Sequence, residues 1–305
     1  MQYLTLLECR GGLLFPYHIG SLASLSYYGY LTKVNPIAGS SAGAIAVVSH
    51  GANIDPVQAV EGTIRISEKY KQLGRTRGNL LSLLATELNE LLPVNVHEVL
   101  NDRDGLVGVA YKEIFPVNRN ILETKYSCKE HVIDSVCNSS MFPFFANGPW
   151  PCRISRKNTK TNDRIIPTIA VDGFFTVPRE RFGCPDFNVL NENGVESANA
   201  GSGVISRCVT ISVFPHDVVA LTASDKHDRI SPMENPENKV EQLSNLLRLA
   251  TQAGTREEYF KLYEDGWKDA EAWIKEEERR NYWDLDERSR KEDYFKALSD
   301  YRLLN

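Results

Sequence analysis

Three short clusters in this chain carry residue types that can do chemistry. The first is Gly39-x-Ser41-x-Gly43. A serine hydroxyl is a poor nucleophile unless it is held exposed and served by a base. A serine on a sharp strand-to-helix turn gains that exposure, and flanking glycines let strand and helix approach closely. A helix starting at Ala42 would aim its N-terminal N–H groups at developing negative charge. The second cluster is Arg10-Gly11-Gly12-Leu13. Its glycines can turn backbone N–H groups toward a tetrahedral oxyanion or, alternatively, toward a phosphate. The P-loop and the full dinucleotide glycine signatures are absent. The third cluster is Asp172-Gly173, which closes the apolar run 165–171. In open α/β sheets the carboxyl end of a strand is where sites are built. Asp172 is therefore the candidate base, and Gly173 permits the turn beside it.

Two other Asp-Gly pairs are placed differently. Asp104-Gly105 sits in a polar turn, and Asp265-Gly266 sits inside a helical pattern. A carboxylate taking a serine proton directly is poorly matched in water, where aspartate titrates near about 3.9, and partial burial would help. The alternative is a Ser-His-Asp triad. Of six histidines, His216 is the one well placed after Asp172 for that chain order. His18, near the glycine loop, reads as a structural histidine.

The elements that must position these groups follow from the apolar pattern. Residues 3–7 and 36–38 read as short buried strands. Helical patterns follow each, over 17–28 and from Ala42 to about His50. Strand, glycine loop, helix, strand, tight turn and helix within 50 residues predict an α/β sheet. Asp55 is an N-cap with Pro56 at the first helical position. A helix over 79–92 carries a leucine stripe, read as core with a lipid groove as the alternative. Residues 106–117, 119–126, 164–171 and 208–214 read as strands, 128–137 as a helix and 183–203 as a long loop. From about residue 225 charge rises and glycine thins out. Residues 255–280 form an amphipathic helix that packs on the α/β body or meets a membrane or a regulatory protein partner. Residues 286–301 read as a second charged helix. The expected division is a catalytic domain at 1–225 and a helical region at 226–305.

Composition narrows the class. The 305 residues are 42% hydrophobic and 25% charged, ordinary globular fractions that exclude a collagen, a coiled-coil rod and a wholly disordered chain. A net charge of −5 argues against nucleic acid as a partner. The amino terminus lacks the pattern of a secretory signal, and no run reaches the about 20 apolar residues of a spanning helix. None of the six cysteines forms a C-x-x-C pair, so no metal site is expected, and the thiols read as reduced in a cytoplasmic setting.

Gly11-Gly12, Tyr17-His18-Ile19-Gly20, Gly39-Ser40-Ser41-Ala42-Gly43 and Val171-Asp172-Gly173 together resemble a patatin-like phospholipase domain. The resemblance covers nearly the whole chain and is nearest to the adipose triglyceride lipase and adiponutrin branch. It implies a three-layer α/β/α sandwich with a mostly parallel central sheet and a helical C-terminal extension. It implies a Ser41–Asp172 dyad without histidine or cofactor, with an oxyanion hole at Gly11 and Gly12 flanked by Arg10 and Leu13. The implied activity is hydrolysis of fatty acyl esters of glycerolipids, as a triacylglycerol lipase or a phospholipase. Two residues depart from the pattern: Phe15 replaces a loop glycine, and Phe174 follows Gly173 where glycine or alanine is usual. The Phe174-Phe175 pair either lines an acyl pocket or plugs it. A non-catalytic lipid-binding protein is the reading that these departures leave open.

A lipase must reach its substrate at an interface. Aromatics over 141–150 precede Arg153, Arg156, Lys157, Lys160 and Arg164. Together they form a candidate patch for a membrane or lipid-droplet surface; the alternative is a core segment followed by a solvated loop.

Overall fold

The computed structural model describes residues 4–8, 12–73, 79–148, 150–158, 165–176, 184–185, 207–215, 228–232 and 238–303. The expected loop over 183–203 lies outside these, apart from Cys184 and Pro185. The fold is α/β, with one mixed sheet at its centre.

Strands β1 (Leu4–Glu8), β2 (Ile37–Gly39), β3 (Val107–Phe115), β7 (Arg207–Ile211) and β8 (Arg229–Ile230) run parallel in the order β8-β7-β1-β2-β3. Strands β4 (Arg119–Glu123), β5 (Arg153–Asn158) and β6 (Ile165–Val171) add an antiparallel wing: β4 and β6 pair β3, and β5 pairs β6. The sheet is therefore parallel in one half only. The register decides where the wing lies. β4 pairs β3 from Val109 to Glu113. β2 meets β3 at residues 107–109 and β6 meets it at Lys112, Glu113 and Phe115. Both overlap β4 along the strand, so both must occupy the opposite edge of β3. β2 is parallel and β6 antiparallel to β3, so their carboxyl ends meet head to head opposite Ala110 and Tyr111.

The α-helices among the described residues are α1 (Phe15–Tyr27), α2 (Ala42–Gly51), α3 (Pro56–Gln72), α4 (Leu80–Leu91), α5 (Val96–Asn101), α6 (Lys129–Ser139), α7 (Lys239–Thr251) and α8 (Arg256–Leu303). Local chemistry explains their starts. The Asp55 carboxylate accepts the Gln58 N–H at 3.0 Å and Pro56 opens α3, as expected. Their apolar faces join Ile37, Val107 and Val109 in one large core, while Ala38, Ala110, Leu122 and Cys184 form a smaller cluster. Alternation along β2 and β3 sends neighbours to opposite faces.

Three expectations are corrected, and one helix is added. Residues 153–158 are strand β5 at the edge of the wing, not a solvated loop. The charged side chains that suggested a loop also suit an edge strand, where they oppose unwanted pairing. Helix α7 lies within the region 226–305 expected to be helical, at bounds the sequence reading did not give. The two C-terminal helices are one continuous α8, because neither glycine nor proline interrupts residues 280–286. Cys184 is disulfide-bonded, whereas Cys128, Cys137 and Cys152 are free thiols.

The first part of α8 packs onto the body, as the amphipathic pattern predicts. Tyr259, Leu262, Ala270, Trp273 and Ile274 are buried. Ser21 of α1 donates to the carbonyl of Gly266 at 3.1 Å, and the Tyr17 hydroxyl donates to Asp269 at 2.8 Å. Among the described residues no helix is long and apolar enough to cross a membrane.

Candidate active site

The head-to-head meeting of β2 and β6 places two of the chemical clusters side by side. Ser41, two residues beyond β2, has φ 54° and ψ −120°. Such backbone costs a non-glycine residue about 1–3 kcal/mol and persists only where the surroundings over-determine it. Those surroundings are visible. A Cβ on Gly39 would lie 2.3 Å from the carbonyl carbon of Gly43, so β2 and α2 are in backbone contact across the turn. The Ser41 N–H donates to Ser139 Oγ at 2.9 Å, and that hydroxyl donates to the carbonyl of Ala110 at 2.6 Å. Helix α6 thus braces the elbow against β3.

Asp172 directly follows β6 and is fully buried. Its N–H donates to the carbonyl of Met141 at 2.9 Å, and its Oδ1 accepts the Phe174 N–H at 2.9 Å. A Cβ on Gly173 would sit 2.2 Å from the Ala110 oxygen and 2.6 Å from Ser40 Cβ. Only glycine fits there, and it sets the Asp172 turn against the Ser41 elbow. Ala110 is the common support: Ser139 and Gly173 both meet its carbonyl.

Ser41 opens onto a cavity of about 410 Å³, within the range of small-ligand sites. Gly12, Leu13, Phe15, Ser41 and Ala42 line it. Leu80, Leu84, Leu88 and Leu91 of α4, Ile66 of α3, and Leu247 and Ala250 of α7 supply apolar walls. The leucine stripe of α4 therefore borders open space as well as core, so both sides of its reading, core and groove, apply. Helix α7 overlies the loop, since a Cβ on Gly12 (φ 57°) would lie 2.3 Å from the Ala250 carbonyl oxygen. Arg10 and Gly11 lie outside the described residues, as does His216. His18 is buried in α1.

The Phe174-Phe175 pair neither lines nor plugs this cavity. Phe175 stacks on Phe142 with centroids 6.0 Å apart, and Phe174 packs at 6.5 Å from it. Phe142, Pro143, Phe144 and Phe145 do line the cavity. Phe144, Trp150 and Ile154 are 61%, 64% and 67% exposed, and the Phe144 N–H donates to the Trp150 carbonyl at 3.3 Å. Arg153 is committed inward: it donates to Asp134 at 2.6 Å and to Asn138 at 2.7 Å, so it is not an open cation for a headgroup. Arg156 and Lys157 lie on β5; Lys160 and Arg164 lie outside the described residues. No group of three or more metal-ligating side chains gathers among the described residues.

Ser139 was not singled out by any motif, because its role depends on a contact 98 residues away in sequence. The α7 lining was equally hidden, although Leu243, Leu246, Leu247 and Ala250 carry the helical spacing that marks its apolar face.

Two solved structures are similar to the chain. VipD from Legionella pneumophila is 10% identical with a TM-score of 0.43, and the match covers 90% of this chain and 67% of that one. The heterodimeric ExoU–SpcU complex from the type III secretion system of Pseudomonas aeruginosa is 11% identical with a TM-score of 0.46, covering 90% of this chain. The present chain spans about half, 51%, of that second protein chain. No family model and no curated protein matches the sequence.

Proposed function

We propose that this chain is a serine acyl hydrolase of the lipase or phospholipase A type, acting on fatty acyl esters of glycerolipids. The observation that carries the reading is the strained Ser41 elbow, which opens onto an apolar cavity and lies against the turn of buried Asp172. In this reading Ser41 Oγ attacks the ester carbonyl carbon while Asp172 accepts its proton. The carbonyl oxygen becomes an oxyanion, held by N–H groups of the Gly11-Gly12 loop and the first turn of α2. The C–O bond then breaks, the alcohol leaves with the proton from Asp172, and an acyl-enzyme remains. Water, deprotonated by Asp172, releases the fatty acid and restores Ser41. The apolar walls take the acyl chain. The part at 1–225 supplies the chemistry, and the helical part at 226–305 closes the cavity through α7.

A fluorophosphonate probe tests the nucleophile. It is expected to modify the folded protein once, on the peptide that contains Ser41, as read by mass spectrometry. Absence of labelling beside a labelled serine hydrolase would favour the non-catalytic lipid-binding reading.

Delivery of substrate is assigned to a peripheral contact with a lipid surface through the exposed Phe144, Trp150 and Ile154. Co-sedimentation with anionic phospholipid vesicles checks this. Phe144→Ser with Trp150→Ser is expected to lower the bound fraction several-fold. Charge reversal at Arg156, Lys157 and Lys160 is expected to reduce only the salt-sensitive part. Unchanged binding in both variants would remove the docking assignment.

A further inference from the structure

The end of α6 touches both halves of the candidate dyad, and it does so through their peptides. Ser139 is the last residue of the helix. Its Oγ accepts the Ser41 N–H at 2.9 Å, and two residues later the Met141 carbonyl accepts the Asp172 N–H at 2.9 Å. A stretch of three residues therefore holds the nucleophile's backbone on one side and the base's backbone on the other. The sheet sets the gap that this stretch fills. β2 pairs β3 at residues 107–109, and β6 pairs it at Lys112, Glu113 and Phe115. Ala110 meets neither strand on that edge, and the Ser139 hydroxyl gives its carbonyl a donor at 2.6 Å. A serine hydroxyl has one proton. Here that proton is committed to Ala110, so toward Ser41 the oxygen is an acceptor. Ser139 and Ala110 are both 0% exposed, which keeps water from competing for either bond. The cavity wall takes Ser140 and Phe142 from this segment but not Ser139. Ser139 thus reaches the nucleophile without touching the space for the acyl chain.

We infer that Ser139 is a positioning residue for the dyad: by tying the Ser41 peptide to Ala110, it fixes where the Ser41 hydroxyl lies relative to Asp172. The inference deepens the hydrolase reading and rests on it for what the two groups do. Strained backbone such as that of Ser41 persists only while its surroundings hold it. Without the Ser139 hydroxyl, the Ser41 N–H loses its acceptor, and the elbow is free to relax. The backbone contact between Gly39 and Gly43 still holds β2 against α2. The loss is therefore one of aim rather than of fold. The acyl walls on α3, α4 and α7 are untouched, so the chemical step suffers and substrate binding does not.

The test compares Ser139→Ala with Ser135→Ala and the wild type. Ser135 lies one turn earlier on α6, is 1% exposed, and donates within the helix to the His131 carbonyl at 2.8 Å. Its variant reports what the loss of a buried α6 hydroxyl does to the fold alone. Hydrolysis of p-nitrophenyl butyrate gives kcat and KM, and reaction with a fluorophosphonate gives the rate of attack by Ser41. For Ser139→Ala, kcat and the fluorophosphonate rate are both expected to fall about 10- to 100-fold, with KM unchanged within about twofold. Ser135→Ala should keep both rates within about twofold of the wild type. Deuterium exchange resolved at single amides adds a reading on the wild type itself. The Ser41 amide should exchange about 100-fold or more slowly relative to an unprotected amide, and this reading decides if Ser139→Ala fails to fold. The inference is overturned if Ser139→Ala keeps kcat within about twofold, if its loss lies in KM, if Ser135→Ala loses as much, or if the wild-type Ser41 amide exchanges freely. A wild type that neither turns over the ester nor reacts with the fluorophosphonate sinks the hydrolase reading. Wild-type turnover beside an unaffected Ser139→Ala sinks the positioning role alone.

Discussion

Asp172→Asn is expected to lower ester hydrolysis by about 10⁴-fold while leaving the protein folded. The substitution is nearly isosteric. An asparagine Oδ1 can still accept the Phe174 N–H, now at 2.9 Å, and the backbone bond from residue 172 to the Met141 carbonyl is untouched. Gly173 and its close contacts with Ala110 and Ser40 also remain. What disappears is an oxygen able to take the Ser41 proton. The fall should lie in kcat rather than KM, because the lost interaction belongs to the transition state. Ser41→Ala should cost at least as much, and the double variant little more than either single one, since nucleophile and base act as a unit. His216→Ala separates the dyad from the triad: full activity excludes the triad. Should Asp172→Asn keep activity within tenfold of the wild type, Asp172 is not the base.

The parts of this site that could be read in the sequence are those whose chemistry is local. Gly39, Ser41 and Gly43 lie within five residues, and the strand before and helix after them follow from apolar runs. Asp172 could be picked from three Asp-Gly pairs because only it ends an apolar strand. The α4 stripe was ambiguous for a physical reason. A leucine facing a cavity and a leucine facing a neighbour have the same helical period, and empty space is a property of distant elements. Ser139 was invisible for the same reason: it acquires meaning from the Ser41 N–H and the Ala110 carbonyl, both on other elements. β5 was hidden by its alternation of Arg153, Ile154, Ser155 and Arg156, in which the apolar share is too small to announce a strand. The disulfide at Cys184 could not be read from spacing, because pairing depends on the folded path.

Arg207→Ala is expected to destabilise the fold by about 3–5 kcal/mol, the largest stability effect of a single side chain proposed for this molecule. Arg207 on β7 donates to Glu277 of α8 through both terminal nitrogens, at 2.5 and 2.7 Å. Its Nε and Nη2 also reach Asp228 Oδ1, at 2.9 and 2.5 Å. The guanidinium further lies over the Trp273 ring, 5.6 Å from its centroid. Hydrogen bonds to the two carboxylates hold the Arg207 pKa above its ordinary value. Glu277 and Asp228 are only 7% and 8% exposed. Truncation leaves both carboxylates in the interior without their shared cation, a far larger loss than an exposed ion pair would bring. Arg207→Lys should recover only part of it, because an ammonium cannot fork onto Glu277 while also holding Asp228. Neutralising the whole cluster, with Arg207→Met, Asp228→Asn and Glu277→Gln together, should be milder than Arg207→Ala, since no charge is then stranded. Urea unfolding at pH 7 measures all three, and a change below about 1 kcal/mol for Arg207→Ala would show that the cluster behaves as a surface pair. The consequence for catalysis is indirect. Arg207 fastens α8 to the parallel half of the sheet, α8 packs on α1, and α1 begins at Phe15 in the cavity wall. The Arg207→Ala protein should therefore lose activity with temperature ahead of the wild type, while keeping wild-type kcat at temperatures where it is folded.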